Sequence, residues 1–109
     1  AGYWDGSNEF VSAMNALVAL NRENRITIEA PLLTMSKEAI VEEGVRLGVD
    51  FSKTWTCYSN RKDGLADATT PSSSMRVKGF VDAGYQDPIQ YVQQDKLSEV
   101  YMAKGCKKI

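Results

Sequence analysis

Residues 36–48, SKEAIVEEGVRLG, carry the signals of one amphipathic helix and set the fold class of this 109-residue chain. The Ser36 hydroxyl suits the N-cap position, because it can accept a hydrogen bond from an unpaired N–H group of the first turn. Met35 and Ile40 occupy the N′ and N4 positions of a hydrophobic staple. Gly48 can adopt the left-handed conformation that ends such a helix. The stretch therefore predicts a helix that begins after Ser36 and ends at Gly48.

The same periodicity predicts three more helices on either side of this one. Apolar residues from Phe10 to Val18 recur at the spacing of one helical stripe, ahead of the polar residues 21–25. A third helix is predicted from about Ser74 to Ala83, where Gly84 ends it. A last helix is predicted from Asp95, as its cap, to Gly105.

The segments between the helices lack this periodicity. Residues 26–30 alternate apolar and polar side chains, which predicts a half-buried strand that Pro31 ends. Residues 59–74 form a polar connection longer than most in compact domains, and such loops are usually functional or disordered. Residues 87–89, DPI, predict a turn. We therefore expect residues 1–109 to form a single, mainly α domain with about four helices and at most one or two short strands.

The composition excludes several kinds of chemistry. The chain has no histidine, which excludes a Ser-His-Asp triad, a Cys-His dyad and any imidazole metal site. With no export signal visible, Cys57 and Cys106 predict reduced thiols in a cytoplasmic protein. The net charge of −1 offers no basic surface to nucleic acid. No apolar run approaches the roughly 20 residues of a membrane span, so we expect no membrane partner.

Several motifs, in order along the chain, resemble those of one enzyme family. Residues 30–41, APLLTMSKEAIV, are similar to a segment of the 7-cyano-7-deazaguanine synthases. These are the QueC or ExsB proteins, PP-loop ATP-dependent ligases of queuosine and archaeosine biosynthesis. The other matches are GYWD at 2–5, LGVD at 47–50, TWTCY at 54–58, MRVKGF at 75–80 and DAGYQDPI at 82–89. The resemblance implies that the chain is the C-terminal helical part of an α/β PP-loop protein.

The resemblance also implies a reaction. The intact family enzyme activates 7-carboxy-7-deazaguanine with ATP as an acyl-adenylate, ammonia displaces AMP to give an amide, and a second ATP-driven step gives the nitrile. The family's S-G-G-x-D-S loop, which holds pyrophosphate, does not occur in residues 1–109. ATP is therefore expected to bind to an N-terminal domain absent from this chain. By resemblance, this portion would be inactive alone and would contribute substrate-pocket walls and subunit contacts.

Two other interpretations stay open at this point. A non-catalytic binding or oligomerisation module derived from the family is the main alternative, because the chain lacks most of the family's cysteines. An unrelated helical interaction domain is disfavoured by the ordered matches. The partners we expect are a 7-deazaguanine small molecule in the intact enzyme and further copies of the chain, because the surface left by an absent ATP domain would be apolar.

The resemblance assigns three candidate substrate-binding residues and no catalytic residue. Asp5 matches the family's G-Y-P-D aspartate, although it could instead cap the first helix. Trp55 could stack on a purine-like base, whereas a lone aromatic residue near an apolar run is more often part of the core. Arg76 could pair with a carboxylate or phosphate, or it could lie on a solvated helix face.

The resemblance further implies a zinc site of four cysteines, most of which this chain lacks. Cys57 matches the first ligand, and the other three positions fall at Asp67, Thr70 and Ser73. Because hydroxyls are poor zinc ligands, we expect no bound zinc and a loop that is either held by hydroxyl caps and turns or mobile. Cys57 itself could be a reactive thiol or a vestigial ligand, but a small buried hydrophobe is favoured. At Cys106 we expect an exposed thiol.

Overall fold

A computed structural model describes residues 3–109 and contains four α-helices. They are α1 Asn8–Val18, α2 Lys37–Arg46, α3 Pro71–Asp82 and α4 Gln94–Ala103, with 3₁₀ turns at Trp4–Gly6 and Phe51–Lys53. Within residues 3–109 the β-structure consists of two isolated bridges, Ala66 with Tyr91 and Tyr85 with Lys107. The mainly α fold class is therefore confirmed. Gly2, the first residue of the GYWD motif, lies outside the described residues.

The chain divides into two compact units, Ala1–Thr34 and Met35–Ile109. The first unit contains α1, whose N-cap is Ser7: its Oγ accepts a hydrogen bond from the Phe10 N–H at 3.0 Å. Trp4 packs edge-on against Phe10 with the ring centroids 5.1 Å apart. The preceding 3₁₀ turn is thus fixed to the first turn of α1.

The strand predicted at residues 26–30 does not form. Asn15 on α1 contacts Ile28 twice, donating from Nδ2 to the Ile28 carbonyl at 3.0 Å and accepting from its N–H at 2.8 Å. A side-chain amide therefore satisfies the backbone groups that a neighbouring strand would otherwise pair. The alternation had indicated an extended, half-buried segment, but it carried no information on its hydrogen-bond partner.

Helix α2 begins and ends as its sequence predicts. Ser36 Oγ accepts a hydrogen bond from the Ala39 N–H at 3.1 Å, which confirms the N-cap. Gly48 has a φ of 75°, and the next residue, Val49, donates its N–H to the Gly44 carbonyl at 2.9 Å. This arrangement closes the last turn of the helix with a left-handed glycine.

Helix α3 begins at Pro71, three residues before the predicted start at Ser74. Proline suits the first helical position because it has no N–H to leave unpaired and its φ is already helical. The first turn also buries Ser72 and Ser73, which are 8% and 1% exposed. An apolar pattern could not indicate this turn, because its buried residues are polar.

Two glycines allow close packing in the second unit. A Cβ at Gly79 on α3 would lie 2.8 Å from Lys37 Cβ on α2, and a Cβ at Gly44 would lie 2.3 Å from Phe51 Cζ. The Phe51 ring packs edge-on against Phe80 of α3 with the centroids 5.0 Å apart. A side chain at Gly79 or Gly44 would therefore separate elements that are in direct contact.

We predict that Gly79→Ala destabilises the protein by about 1–2 kcal/mol, although alanine is the better helix former. The overlap with Lys37 includes backbone atoms, with the Lys37 carbonyl carbon at 3.3 Å, so rotation of a side chain cannot relieve it. Urea unfolding followed by helical circular dichroism measures the change. The matched control is Ser74→Ala, at an exposed position of the same helix. A Gly79→Ala variant as stable as this control would show that α2 and α3 can move apart at little cost in the free energy of unfolding.

Candidate functional site

The second unit contains a buried ion pair between Arg76 on α3 and Asp87 in the segment after that helix. Arg76 donates from Nε to Asp87 Oδ2 at 2.8 Å and from Nη2 to Oδ1 at 3.0 Å. The side chains of Arg76 and Asp87 are 8% and 0% exposed. The planar guanidinium matches the carboxylate with two parallel hydrogen bonds, the strongest geometry for such a pair.

Arg76 also reaches the segment that follows α2. It donates from Nη2 to the Phe51 carbonyl and from Nη1 to Thr56 Oγ1, both at 3.2 Å. Its guanidinium carbon lies 5.4 Å from the centroid of the Phe80 ring, within the range of a cation–π contact. One side chain thus joins α3 to the 51–56 segment and to Asp87.

Asp87 has further hydrogen-bond donors of its own. The Tyr91 hydroxyl donates to Oδ2 at 2.6 Å, and the Ile89 N–H donates to Oδ1 at 3.2 Å, which forms the predicted turn. Burial and the contact with the Asp87 carboxylate raise the pKa of Tyr91 above its ordinary value. Tyr91 therefore remains a protonated donor, and both carboxylate oxygens of Asp87 have two partners each.

The structure places the three predicted substrate-binding residues in different settings. Asp5 is exposed in the first unit, where Ser7 rather than Asp5 caps α1. Trp55 is 55% exposed rather than part of the core, and its indole N–H donates to the Cys57 carbonyl at 2.8 Å. Arg76 is buried in its ion pair and does not lie on a solvated helix face. Their roles toward a substrate stay predictions.

A cavity of about 190 Å³ lies against Arg76 in the second unit. Its polar lining comes from Lys37, Thr54, Thr56 and Arg76, and the rest is apolar, including Ile40 and Phe80. Its volume is below the roughly 300–1,000 Å³ of typical small-molecule pockets, so the cavity does not by itself define such a site. The sequence did not indicate roles for Thr56, Asp87 or Tyr91, and the resemblance of residues 82–89 was the signal that could have drawn attention to Asp87.

A second polar cluster surrounds the sulfur of Cys57, which is 6% exposed. Sγ lies 3.1 Å from Ser59 Oγ and 3.9 Å from Thr70 Oγ1, and it accepts from the N–H groups of Ser59 and Asp67 at 3.5 Å each. The Ser73 hydroxyl makes no hydrogen bond of standard geometry, but it is close enough to act on the thiol. The structure thus brings together the four positions at which the resemblance implied a zinc site.

The polar groups around the sulfur change the acidity of Cys57. Burial raises the pKa of the thiol, but the hydroxyls of Ser59 and Ser73 and the N–H groups of Asp67 and Ser59 outweigh it and lower the pKa from 9.0 to about 6. Cys57 therefore packs among core residues such as Ala66, and its thiol has a lower pKa than that of an ordinary cysteine. The prediction that Cys57 is buried is correct, but its surroundings are not purely apolar, because the sulfur also makes hydrogen bonds.

The residues around Cys57 do not fit a zinc ion. A structural zinc site needs four donors, normally thiolate or imidazole, and this cluster supplies one sulfur. Asp67 Oδ1 instead accepts from the N–H and hydroxyl of Thr69, at 2.9 and 2.6 Å, and from Gln93 Nε2 at 3.0 Å. Across residues 3–109, no three carboxylate or thiol groups are grouped closely enough to hold a metal ion.

Cys106 is buried, so the expected exposed thiol is wrong. It is 8% exposed, and its N–H donates to the Tyr101 carbonyl at 2.9 Å. The bridge between Tyr85 and Lys107 causes this burial: Lys107 donates its N–H to the Gly84 carbonyl and accepts from the Gln86 N–H, both at 2.8 Å. The C-terminal segment is thereby held against the end of α3.

None of the helices in residues 3–109 is long and apolar enough to cross a bilayer.

Comparison with known proteins identifies the family. The family model of the queuosine biosynthesis protein QueC matches residues 1–84. The chain is 38% identical over 96 residues to the 7-cyano-7-deazaguanine synthase of Geobacter sp. (strain M21). The aligned region covers 84% of this chain and 43% of that protein. The chain is 42% identical over 96 residues to the synthase of Rickettsia rickettsii (strain Sheila Smith), covering 83% and 42%. The chain therefore belongs to the QueC family.

The chain spans less than half the length of these curated relatives. No solved structure matches it significantly. Family membership and the mainly helical fold are thus shown, whereas the activity of the longer relatives concerns more residues than this chain contains.

We predict that Asp87→Asn lowers the free energy of unfolding by about 3–5 kcal/mol, because it leaves the Arg76 charge buried without a counter-ion. The matched control is Asp82→Asn, which removes the exposed pair between Lys78 and Asp82 on the same helix. That change should cost less than about 1 kcal/mol. Urea unfolding measures both variants. Equal losses in the two would show that burial of the Arg76 pair carries no special energetic weight.

We predict that the free energy of unfolding rises between pH 6 and pH 9. A thiol whose pKa is lowered to about 6 in the folded chain contributes stability above its ordinary pKa of 9.0 and loses it as the pH falls through about 6. No histidine titrates in this window. Urea unfolding at several pH values should show the rise in the parent and in Cys106→Ser but a flatter profile in Cys57→Ser. A parent profile as flat as that of Cys57→Ser would contradict the prediction.

Proposed function

We propose that this chain forms the C-terminal helical portion of a 7-cyano-7-deazaguanine synthase and contributes substrate-pocket walls and subunit contacts. The match of the family model to residues 1–84 carries the proposal, and its relatives are 7-cyano-7-deazaguanine synthases. The whole protein would bind ATP through a PP-loop domain, and this chain would be inactive alone. A cytoplasmic location is part of this proposal, since the free cysteines Cys57 and Cys106 are typical of a reducing compartment.

The proposed reaction replaces the two carboxylate oxygens of 7-carboxy-7-deazaguanine by one nitrogen. The carboxylate attacks ATP to give an acyl-adenylate and pyrophosphate, and ammonia then adds to the carbonyl carbon as AMP leaves. The amide oxygen attacks a second ATP, with release of a second pyrophosphate, and loss of that oxygen in AMP, with two protons released, gives the nitrile. Each step needs an ordered, water-poor site, because water would otherwise hydrolyse the activated intermediates.

The proposed contribution of this chain is to hold the flat deazaguanine ring. Trp55 offers about half of its surface to solvent, and its indole N–H is already bonded to the Cys57 carbonyl. The aromatic face is therefore oriented and available for stacking against a bicyclic base. Asp5, in the first unit, stays a predicted substrate-binding residue on the strength of the resemblance alone.

Arg76 enters the proposal as a positioning residue. Four of its N–H groups are engaged, by both oxygens of Asp87, by Thr56 and by the Phe51 carbonyl. A guanidinium has five N–H groups, so only one donor remains free for a substrate. Arg76 would therefore affect substrate binding mainly by fixing the position of residues 51–56. That segment includes Thr56, the neighbour of Trp55.

The proposal is tested by joining this chain in frame to the PP-loop half of the Geobacter relative. The joined protein is supplied with 7-carboxy-7-deazaguanine, ammonium and ATP, and mass spectrometry detects the nitrile. Nitrile formation that requires both halves is the expected result. A folded joined protein that binds ATP but forms no amide or nitrile would overturn the proposal in favour of a non-catalytic binding or oligomerisation module.

In the joined protein we predict that Trp55→Ala raises the KM for the deazaguanine substrate about 10-fold, the magnitude expected for loss of one base–aromatic stack. Trp55→Phe should restore most of the affinity, because it keeps an aromatic face. The matched control is Tyr58→Ala, which removes an aromatic ring that is 80% exposed in the same segment. A Trp55→Ala variant with unchanged KM would show that Trp55 does not contact the base.

A further inference from the structure

We propose that this chain folds without zinc, because a hydrogen-bonded cluster centred on the Cys57 sulfur takes the place of a four-thiolate metal centre. This inference concerns how residues 57–73 are held and does not depend on the proposed reaction. It rests on the convergence of four sequence positions, on the donor atoms found at them, and on the bonds that fix the loop between them.

The geometry shows that the four positions form one site. Sγ of Cys57 lies 3.5 Å from the Asp67 nitrogen and 3.9 Å from Thr70 Oγ1. Ser73, in the first turn of α3, is 1% exposed, and its hydroxyl acts on the thiol but makes no hydrogen bond of standard geometry within residues 3–109. A buried hydroxyl without a partner is uncommon in proteins, which marks position 73 as one that suits a different side chain.

The donor atoms at these positions suit hydrogen bonds and not a soft metal ion. Thr70 uses its hydroxyl hydrogen on the Asp67 carbonyl at 3.0 Å. The Asp67 carboxylate accepts hydrogen bonds from the Thr69 N–H and from Gln93 Nε2. It thereby stabilises the turn at residues 67–69. Two backbone N–H groups point at the Cys57 sulfur, from Ser59 and Asp67. A sulfur that accepts such donors is satisfied without a metal ion.

The loop is also fixed at points that need no metal. Ala66, which is fully buried, donates its N–H to the Gln90 carbonyl at 3.0 Å and accepts from the Val92 N–H at 2.9 Å. At the start of α3, Ser72 Oγ donates to the Thr56 carbonyl at 3.4 Å. These contacts lie on both sides of the Cys57 cluster. They supply the constraint that a metal ion supplies in small metal-stabilised domains.

The first test measures zinc in the chain as purified from zinc-supplemented cells. We expect less than about one tenth of an equivalent of zinc per chain and the same thermal unfolding midpoint with EDTA as without it. Stoichiometric zinc that EDTA removes with loss of the folded state would overturn the proposal.

Amide hydrogen exchange tests the cluster itself: Cys57→Ala should speed exchange at the Ser59 and Asp67 amides, whereas Cys106→Ala should not. Unchanged exchange at both amides would also overturn it.

The second test restores the missing thiols at the positions that the structure assigns. The triple variant D67C/T70C/S73C should bind one equivalent of Co²⁺ with the absorption bands of tetrahedral thiolate ligation, and Zn²⁺ should displace it. The matched control D67C/T70C/S72C moves the last thiol one residue along α3, toward the Thr56 carbonyl, and should lack those bands. A D67C/T70C/S73C variant that binds no metal, or a control that binds it equally well, would overturn the convergence of the four positions.

Discussion

The buried ion pair between Arg76 and Asp87 is the constraint on which the second unit depends. Removing two charges from water costs several kcal/mol each, and the attraction between them offsets this only when every other donor and acceptor is satisfied. Here two carbonyl or hydroxyl oxygens accept from Arg76, and two donors serve Asp87. The pair is therefore stable only when three segments of the chain are correctly placed, so it specifies their arrangement more than it adds net stability.

The helices could be located because their signals are local, although Asp95 lies inside α4 and the predicted cap at that residue is wrong. The Ser36 cap and Gly48 lie within a few residues of the bonds they make, and both were predicted correctly. The strand at residues 26–30 was wrong because its hydrogen-bond partner is the Asn15 side chain, 13 residues away. Periodicity reports which face of a segment is buried, but it cannot report which group satisfies the backbone.

The difference between local signals and distant contacts also explains which features of the candidate site could be predicted. The resemblance assigned Asp67, Thr70 and Ser73 to one site, and they lie close together because Thr70 is the N-cap residue of α3, Ser73 is in its first turn and Asp67 shortly precedes it. Arg76 could be selected by resemblance, but its burial depends on Asp87, 11 residues further on and beyond the end of α3. Cys106 was predicted to be exposed because its burial depends on a backbone bridge between Tyr85 and Lys107. No local pattern encodes such a contact.

The two polar clusters meet at residues 54–58, and this placement connects the fold to recognition. Thr56 accepts from Arg76 through its hydroxyl and from Ser72 through its carbonyl. The next residue, Cys57, is held by the thiol cluster. A segment constrained from both sides loses little further conformational entropy when a ligand binds. The exposed ring of Trp55 is therefore presented by a constrained backbone, as the proposed stacking on a flat ligand would require.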